Sequence, residues 1–191
     1  MSENHADKAE RIRASAARQY ETIRAREDLT DEAKAERIAE VYRETKHSVA
    51  QAREDAGVYR ETRARQLARD LFGHRGMAGA DAISARDAAD RVAGIDSPSE
   101  AQRVLDTAVQ NGDTTLAKAV GRIAFDRAQG GEVFGQGWST VLNNFASSQS
   151  KYVAEKLDEL QTLSQPASME EGFNYVLSAP PEAHGRVGIF D

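Results

Sequence analysis

Apolar residues recur at helical spacing along most of the chain, and they divide it into a long pattern followed by several shorter ones. Ile12, Ala16, Tyr20 and Ile23 mark one face of a first helix over about Ala6–Glu27, a stretch without Gly or Pro. Thr30 is placed to cap a second helix, with Asp31 and Glu32 at the positive end of its dipole. From Asp31 to Phe72 a narrow stripe at spacings of three and four includes Ile38, Val41, Val49, Tyr59, Leu67 and Leu71. It reads as a coiled-coil seam for self-association, weakened by Thr45 and Arg63. Unbroken, this helix would span roughly 63 Å at the α-helical rise. Gly57 is where a kink or break would fall.

The pattern changes at 73–79, where three glycines in seven residues predict a hinge. A helix follows over about Asp81–Ala93, with Ile83, Ala89 and Val92 expected inward. Ser97-Pro98-Ser99-Glu100 has an N-cap residue, Pro at the first helical position and Glu at the third, the signature of a capping box. Ala101, Val104, Leu105, Ala108 and Val109 then line one face. Asn111-Gly112 predicts a left-handed C-cap and Asp113 caps the next helix, so the two form an antiparallel hairpin over 97–129. The run 130–137 reads as a flexible connection before one long helix over Trp138–Leu163. Pro166 stops that helix, a short helix starts at Ser168 and ends before Pro180-Pro181, and Val187–Asp191 is expected extended. Trp138, Phe134 and Phe145 are the expected aromatic anchors of the C-terminal domain, as core or as a partner contact.

The fold class is therefore all-α. A charged helical arm (1–72) is joined through a Gly-rich hinge (73–79) to a compact helical domain (80–164), with a short helix and tail over 165–191. Charge sharpens this division. The arm carries 15 basic and 15 acidic residues, whereas 73–191 carries 10 and 16. Neither balance favours binding to a bare phosphate backbone.

With no cysteine, disulfides, thiolate nucleophiles and cysteine-held zinc are excluded. No stretch approaches a membrane span, and the N-terminal MSENHADK lacks the basic and apolar regions of a secretory signal. The four histidines share no ligand spacing; Glu44-Thr45-Lys46-His47 supplies one Glu-x-x-His where a di-iron bundle needs two. The glycines of 131–137 lack the Lys-Ser/Thr ending of a phosphate-binding loop. The 97–129 hairpin resembles a helix-turn-helix in the spacing of Ala108 and Gly112. However, Lys118 stands where a buried aliphatic residue belongs, and only Lys118, Arg122 and Arg127 are available to face nucleic acid. No catalytic, cofactor-binding or metal residues, and no cofactor, are expected.

The order Gly112-Asp113-Thr114-Thr115-Leu116, Ile123-Ala124-Phe125, Gly137-Trp138, Lys156-Leu157-Asp158-Glu159-Leu160, Phe173-Asn174-Tyr175 and Pro180-Pro181-Glu182 resembles small helical proteins encoded among the structural genes of actinobacterial phages. An excess of Arg over Lys (19 to 6) and 32 alanines fit a GC-rich genome of that kind. The resemblance implies a non-enzymatic structural or assembly protein, virion-associated or scaffold-like, in the cytoplasm of an infected host or on the particle. Its partners would be itself, through the arm, and a larger assembly such as a capsid or connector. The other reading is a regulatory adaptor or nucleic-acid-binding protein that uses the 97–129 hairpin.

Overall fold

The computed structural model describes residues 5–73, 79–130 and 132–184, without the side chains of 5, 132–134, 136 and 170. The chain is all-α. Its helices are α1 (His5–Arg24), α2 (Asp31–Phe72), α3 (Ala80–Ala93), α4 (Pro98–Gln110), α5 (Thr114–Ala128), α6 (Glu132–Ser148), α7 (Lys151–Ser164) and α8 (Met169–Phe173), followed by a 3-10 turn at Pro181–Ala183. Most of the hinge (74–78) and the end of the tail (185–191) lie outside the described residues.

The chain forms two compact units: 1–60 with 166–191, and 61–165. The division falls inside α2, twelve residues before the end of that helix. Gly57 does not interrupt α2. The physical reason for the displaced boundary is burial. Leu67, Leu71 and Phe72 belong to the same apolar core as Val92, Phe125 and Phe145, so the end of the expected arm is built into the second unit.

In that second unit α5 is the central helix, packed by α3, α4 and α6. The starts of α4 and α5 follow the sequence signals. Ser97 Oγ accepts from the Glu100 amide at 3.3 Å, and Asp113 Oδ1 accepts from the Leu116 amide at 2.9 Å. Gly112 takes φ +68°, a left-handed conformation that lets the Asp113 amide reach back to Ala108 O at 2.8 Å. Phe72 packs on Phe125 and Phe145 with ring centroids 5.9 and 6.1 Å apart. Arg63 forks onto Glu159 of α7 at 2.7 and 2.9 Å, and Asn144 donates to Gln102 at 2.8 Å, tying α6 to α4.

Four expectations fail here. Ile83 is 71% exposed and Ala89 is exposed as well; the buried face of α3 is Ala85, Ala88 and Val92. Alanines stand on several faces of α3, so one large residue misled the phase. Val109 is also exposed, which leaves α4 the narrower stripe Ala101, Leu105 and Ala108.

The third failure is the glycine-rich connection, which is largely helix: α6 begins at Glu132. Its glycines are there for space. A Cβ on Gly135 would stand 2.6 Å from Ala128 O, and one on Gly137 2.7 Å from the Pro98 ring. The expected single helix 138–163 is instead α6 and α7, broken at Gln149–Ser150. Ser147 and Ser148 hydroxyls donate to the carbonyls of Asn143 and Phe145 there, the local bonding by which serine competes with a continuing helix.

Candidate functional site

The first unit is built on an antiparallel pair, α1 against the first part of α2. Thr30 Oγ1 accepts from the Ala33 amide at 3.2 Å and starts α2. Lys34 Nζ donates to Arg24 O at 3.0 Å and covers the last carbonyls of α1. At the far end Lys8 pairs with Asp55 at 2.8 Å. The helices bury mostly small residues, Ala9 and Ala16 on α1 and Ala39 and Ala52 on α2, together with Ile38 and Val49. Small side chains let two helices approach closely while their long charged residues stay in water.

A polar pair lies within this unit. The Thr45 hydroxyl is buried and donates to Val41 O at 2.6 Å. The Tyr20 hydroxyl oxygen is enclosed next to it, and among the described residues no atom meets hydrogen-bond geometry with it, although Thr45 lies close enough to favour the phenolate. Burial is the larger effect and raises the Tyr20 pKa.

The candidate site is the segment 166–184, a strap that packs within this unit. Ser168 and Glu171 form a reciprocal capping box, with Glu171 Oε2 accepting from the Ser168 amide at 2.8 Å and Ser168 Oγ accepting from the Glu171 amide at 3.1 Å. The same carboxylate pairs with Arg60 at 3.3 Å. After α8 the strap turns at Asn174–Tyr175 and continues without regular structure to Pro180. Tyr175 and Leu177 line a cleft of about 530 Å³ with Tyr42, Lys46, Val49 and Arg53 of α2. Pro180 and Ala183 are buried, and Arg24 forks onto Glu182 at 2.7 and 2.9 Å.

These contacts give the strap a direction. Its start meets Arg60 and its end meets Arg24, which itself adjoins Lys34, so it runs antiparallel to α2.

The ion pairs set the charge states. Glu171 lies below the ordinary carboxylate range, first because the Ser168 amide bonds it and then because of Arg60. Glu182 is lowered chiefly by the Arg24 guanidinium. Asp28, in the α1–α2 loop, is held down to about 2 by its bonds from Arg26. Burial, reinforced by Glu171, raises the Tyr175 phenol.

Three large apolar side chains of the strap are exposed, beside exposed polar ones such as Ser168, Glu171 and Ser178. Met169 is 80% exposed, Phe173 65% and Val176 54%. Val176 lies between Tyr175 and Leu177, which both line the cleft, as alternation along an extended segment requires.

The residues expected to self-associate are placed differently. Ile38 and Val49 are buried in the first unit, and Leu67 and Leu71 in the core of the second; Val41 is half-buried, and Tyr59 is 41% exposed. The chain therefore covers most of this seam itself. Trp138 and Phe145 are buried in the second unit, where Arg127 lies 4.7 Å over the Trp138 ring. The Phe134 side chain lies outside the described residues.

Glu44 and His47 are exposed on α2, and among the described residues no group of three His, Asp or Glu side chains is close enough to hold a metal. Of the basic residues on α5, Arg122 pairs with Asp126 at 2.8 Å and Arg127 with Asp96 at 3.5 Å. Among the described residues no helix is long and apolar enough to cross a membrane.

The strap was only half visible in the sequence. Its capping box and Pro180-Pro181 mark its two ends, but nothing local says that it belongs with α1 and α2. No family model, curated protein or solved structure matches the chain.

Proposed function

We propose that the chain is a non-enzymatic structural or assembly protein of a phage particle, virion-associated or scaffold-like. It works through contacts with itself and with a larger assembly such as a capsid or connector. The observation that carries this reading is the row of exposed apolar side chains on the strap, Met169, Phe173 and Val176. Large apolar groups clustered within one short surface segment are what a protein contact uses, because association removes them from water. The charge pattern supports the same reading. The chain is acidic overall, and its basic residues are interspersed with acidic ones in ion pairs such as Arg24–Glu182, Arg60–Glu171 and Arg63–Glu159. Such a surface suits protein partners better than a phosphate backbone. The phage assignment comes from the sequence resemblance over Ser97–Glu182 and from the composition.

Mass spectrometry of purified particles and of immature heads tests the assignment. The chain should be present in one or both at stoichiometric level. Its absence from both sinks the reading.

A further inference from the structure

We propose that the strap of one copy docks on the α1–α2 pair of a second copy, so that copies are joined by exchange of residues 166–184. The partner is thus a second copy of this chain, and the recognition chemistry is already formed within one chain. The groove offers a cation at each end, Arg60 and Arg24, with Tyr42, Val49 and Ala50 beside Lys46 and Arg53 in its middle. The strap offers a carboxylate at each end, Glu171 and Glu182, with Tyr175 and Leu177 between them. Two charge pairs at the ends, with Tyr175 and Leu177 seated between them, fix both direction and register.

Topology makes the exchange available. The strap follows the second unit in sequence but packs in the first, and a single covalent crossing at 165/166 attaches it to the second unit. A segment tied by one crossing can meet the same groove on another copy and keep every contact it makes in its own chain, as in domain swapping. The crossing lies in non-helical chain: Gln165 is extended ahead of Pro166, and Ser168 is extended as the next N-cap.

The hold of the strap is also weak enough to release. Its ion pairs are exposed, and exposed pairs contribute little against water. Its ordered structure is one five-residue helix and one 3-10 turn. Met169, Phe173 and Val176 remain uncovered while the strap lies on its own chain. Exchange joins two copies, so rising concentration favours it by mass action. This inference rests on the assembly reading for its use, and it names the contact.

The chain has no cysteine, so single thiols report positions cleanly. Ala50 lines the groove and Ser178 adjoins Leu177 on the strap, and neither takes part in the ion pairs. Full-length Ala50→Cys and Ser178→Cys proteins are mixed at about 100 μM, well above a micromolar dissociation constant, and treated with a short bis-maleimide. A cross-linked peptide joining positions 50 and 178 of different copies is expected. Adding Glu171→Arg and Glu182→Arg to the Ser178→Cys copy should lower its yield about tenfold. Adding Arg24→Glu and Arg60→Glu to the Ala50→Cys copy should then restore it.

A chain carrying both cysteines shows that the linker spans the pair and that the strap folds. Internal linkage in that chain with no link between copies overturns the proposal, as does a link between copies whose yield ignores the charge reversals. A specific link between copies, with the chain absent from particles, would sink the phage assignment and leave the exchange standing.

Discussion

Gly121 is a point of close approach between α5 and α6, and its replacement by alanine gives a quantitative test of the second unit. In an exposed helix interior, Gly→Ala stabilises by about 1 kcal/mol. Here the new Cβ would lie 2.8–2.9 Å from three atoms of the Phe145 ring, Cδ1, Cε1 and Cγ. Carbon atoms rest at about 3.5–4.0 Å, so the ring would have to retreat by roughly 0.7 Å. It has little room, because Phe145 is fully buried and its other neighbours include Phe72. Overpacking of this kind costs about 1–3 kcal/mol. The net effect of Gly121→Ala is therefore a loss of about 0–2 kcal/mol.

The sharper quantity is the coupling to Phe145. In a Phe145→Leu background the aromatic ring is gone, and Gly121→Ala should show its helix-propensity gain of about 1 kcal/mol. The coupling energy across the cycle is then about 1–3 kcal/mol. The assay is urea unfolding followed by the fluorescence of Trp138, the only tryptophan and a core residue of this unit. A Gly121→Ala effect that is the same in both backgrounds, to within about 0.5 kcal/mol, would refute the close packing.

Three more outcomes follow from the same structure. Gly135→Ala should destabilise by up to about 2 kcal/mol in urea unfolding, because its Cβ would meet the Ala128 carbonyl of the backbone and no side chain can yield. Ile83→Asn should change stability by less than about 0.5 kcal/mol, whereas Leu105→Ala should cost about 2–5 kcal/mol; comparable losses at both would restore the Ile83 face as core. The strap should loosen in acid. Glu171 and Glu182 have folded pKa values below their unfolded ones, so their contribution is present above the unfolded value of about 4.3 and is lost as pH falls through the folded values. Hydrogen exchange over 168–184, corrected for intrinsic rate, should lose protection at about pH 3 relative to pH 7, and equal protection at both would show that these pairs do not hold the strap.

Legibility in the sequence depended on whether a signal was local. The α4–α5 hairpin was readable because Ser97, Pro98, Gly112 and Asp113 act on their own backbone within three or four residues. The short helix at Ser168 was readable for the same reason. The phase of α3 was not, since alanine fits either a core or a surface and left Ile83 to decide wrongly. Gly135 and Gly137 read as flexibility because a glycine that makes room for a distant atom is indistinguishable, in one dimension, from one that frees the chain. The long stripe on α2 was correctly apolar, but periodicity shows which face is covered and not what covers it. Leu67 and Leu71 are covered within the second unit, so a stripe that reads as one seam serves two units. The placement of the strap depends on contacts more than a hundred residues apart in sequence, such as Arg60–Glu171 and Arg24–Glu182.

The central claim is that the protein acts by association through its strap. Sedimentation of the full chain from about 1 to 100 μM, spanning micromolar affinity, tests it most directly, together with a Met169→Ser, Phe173→Ser, Val176→Ser variant. The account predicts a mass that rises reversibly above the 20.9 kDa of one chain with concentration, and a variant that stays at that mass. A wild-type chain that remains at 20.9 kDa throughout, or a variant that associates as the wild type does, would contradict it.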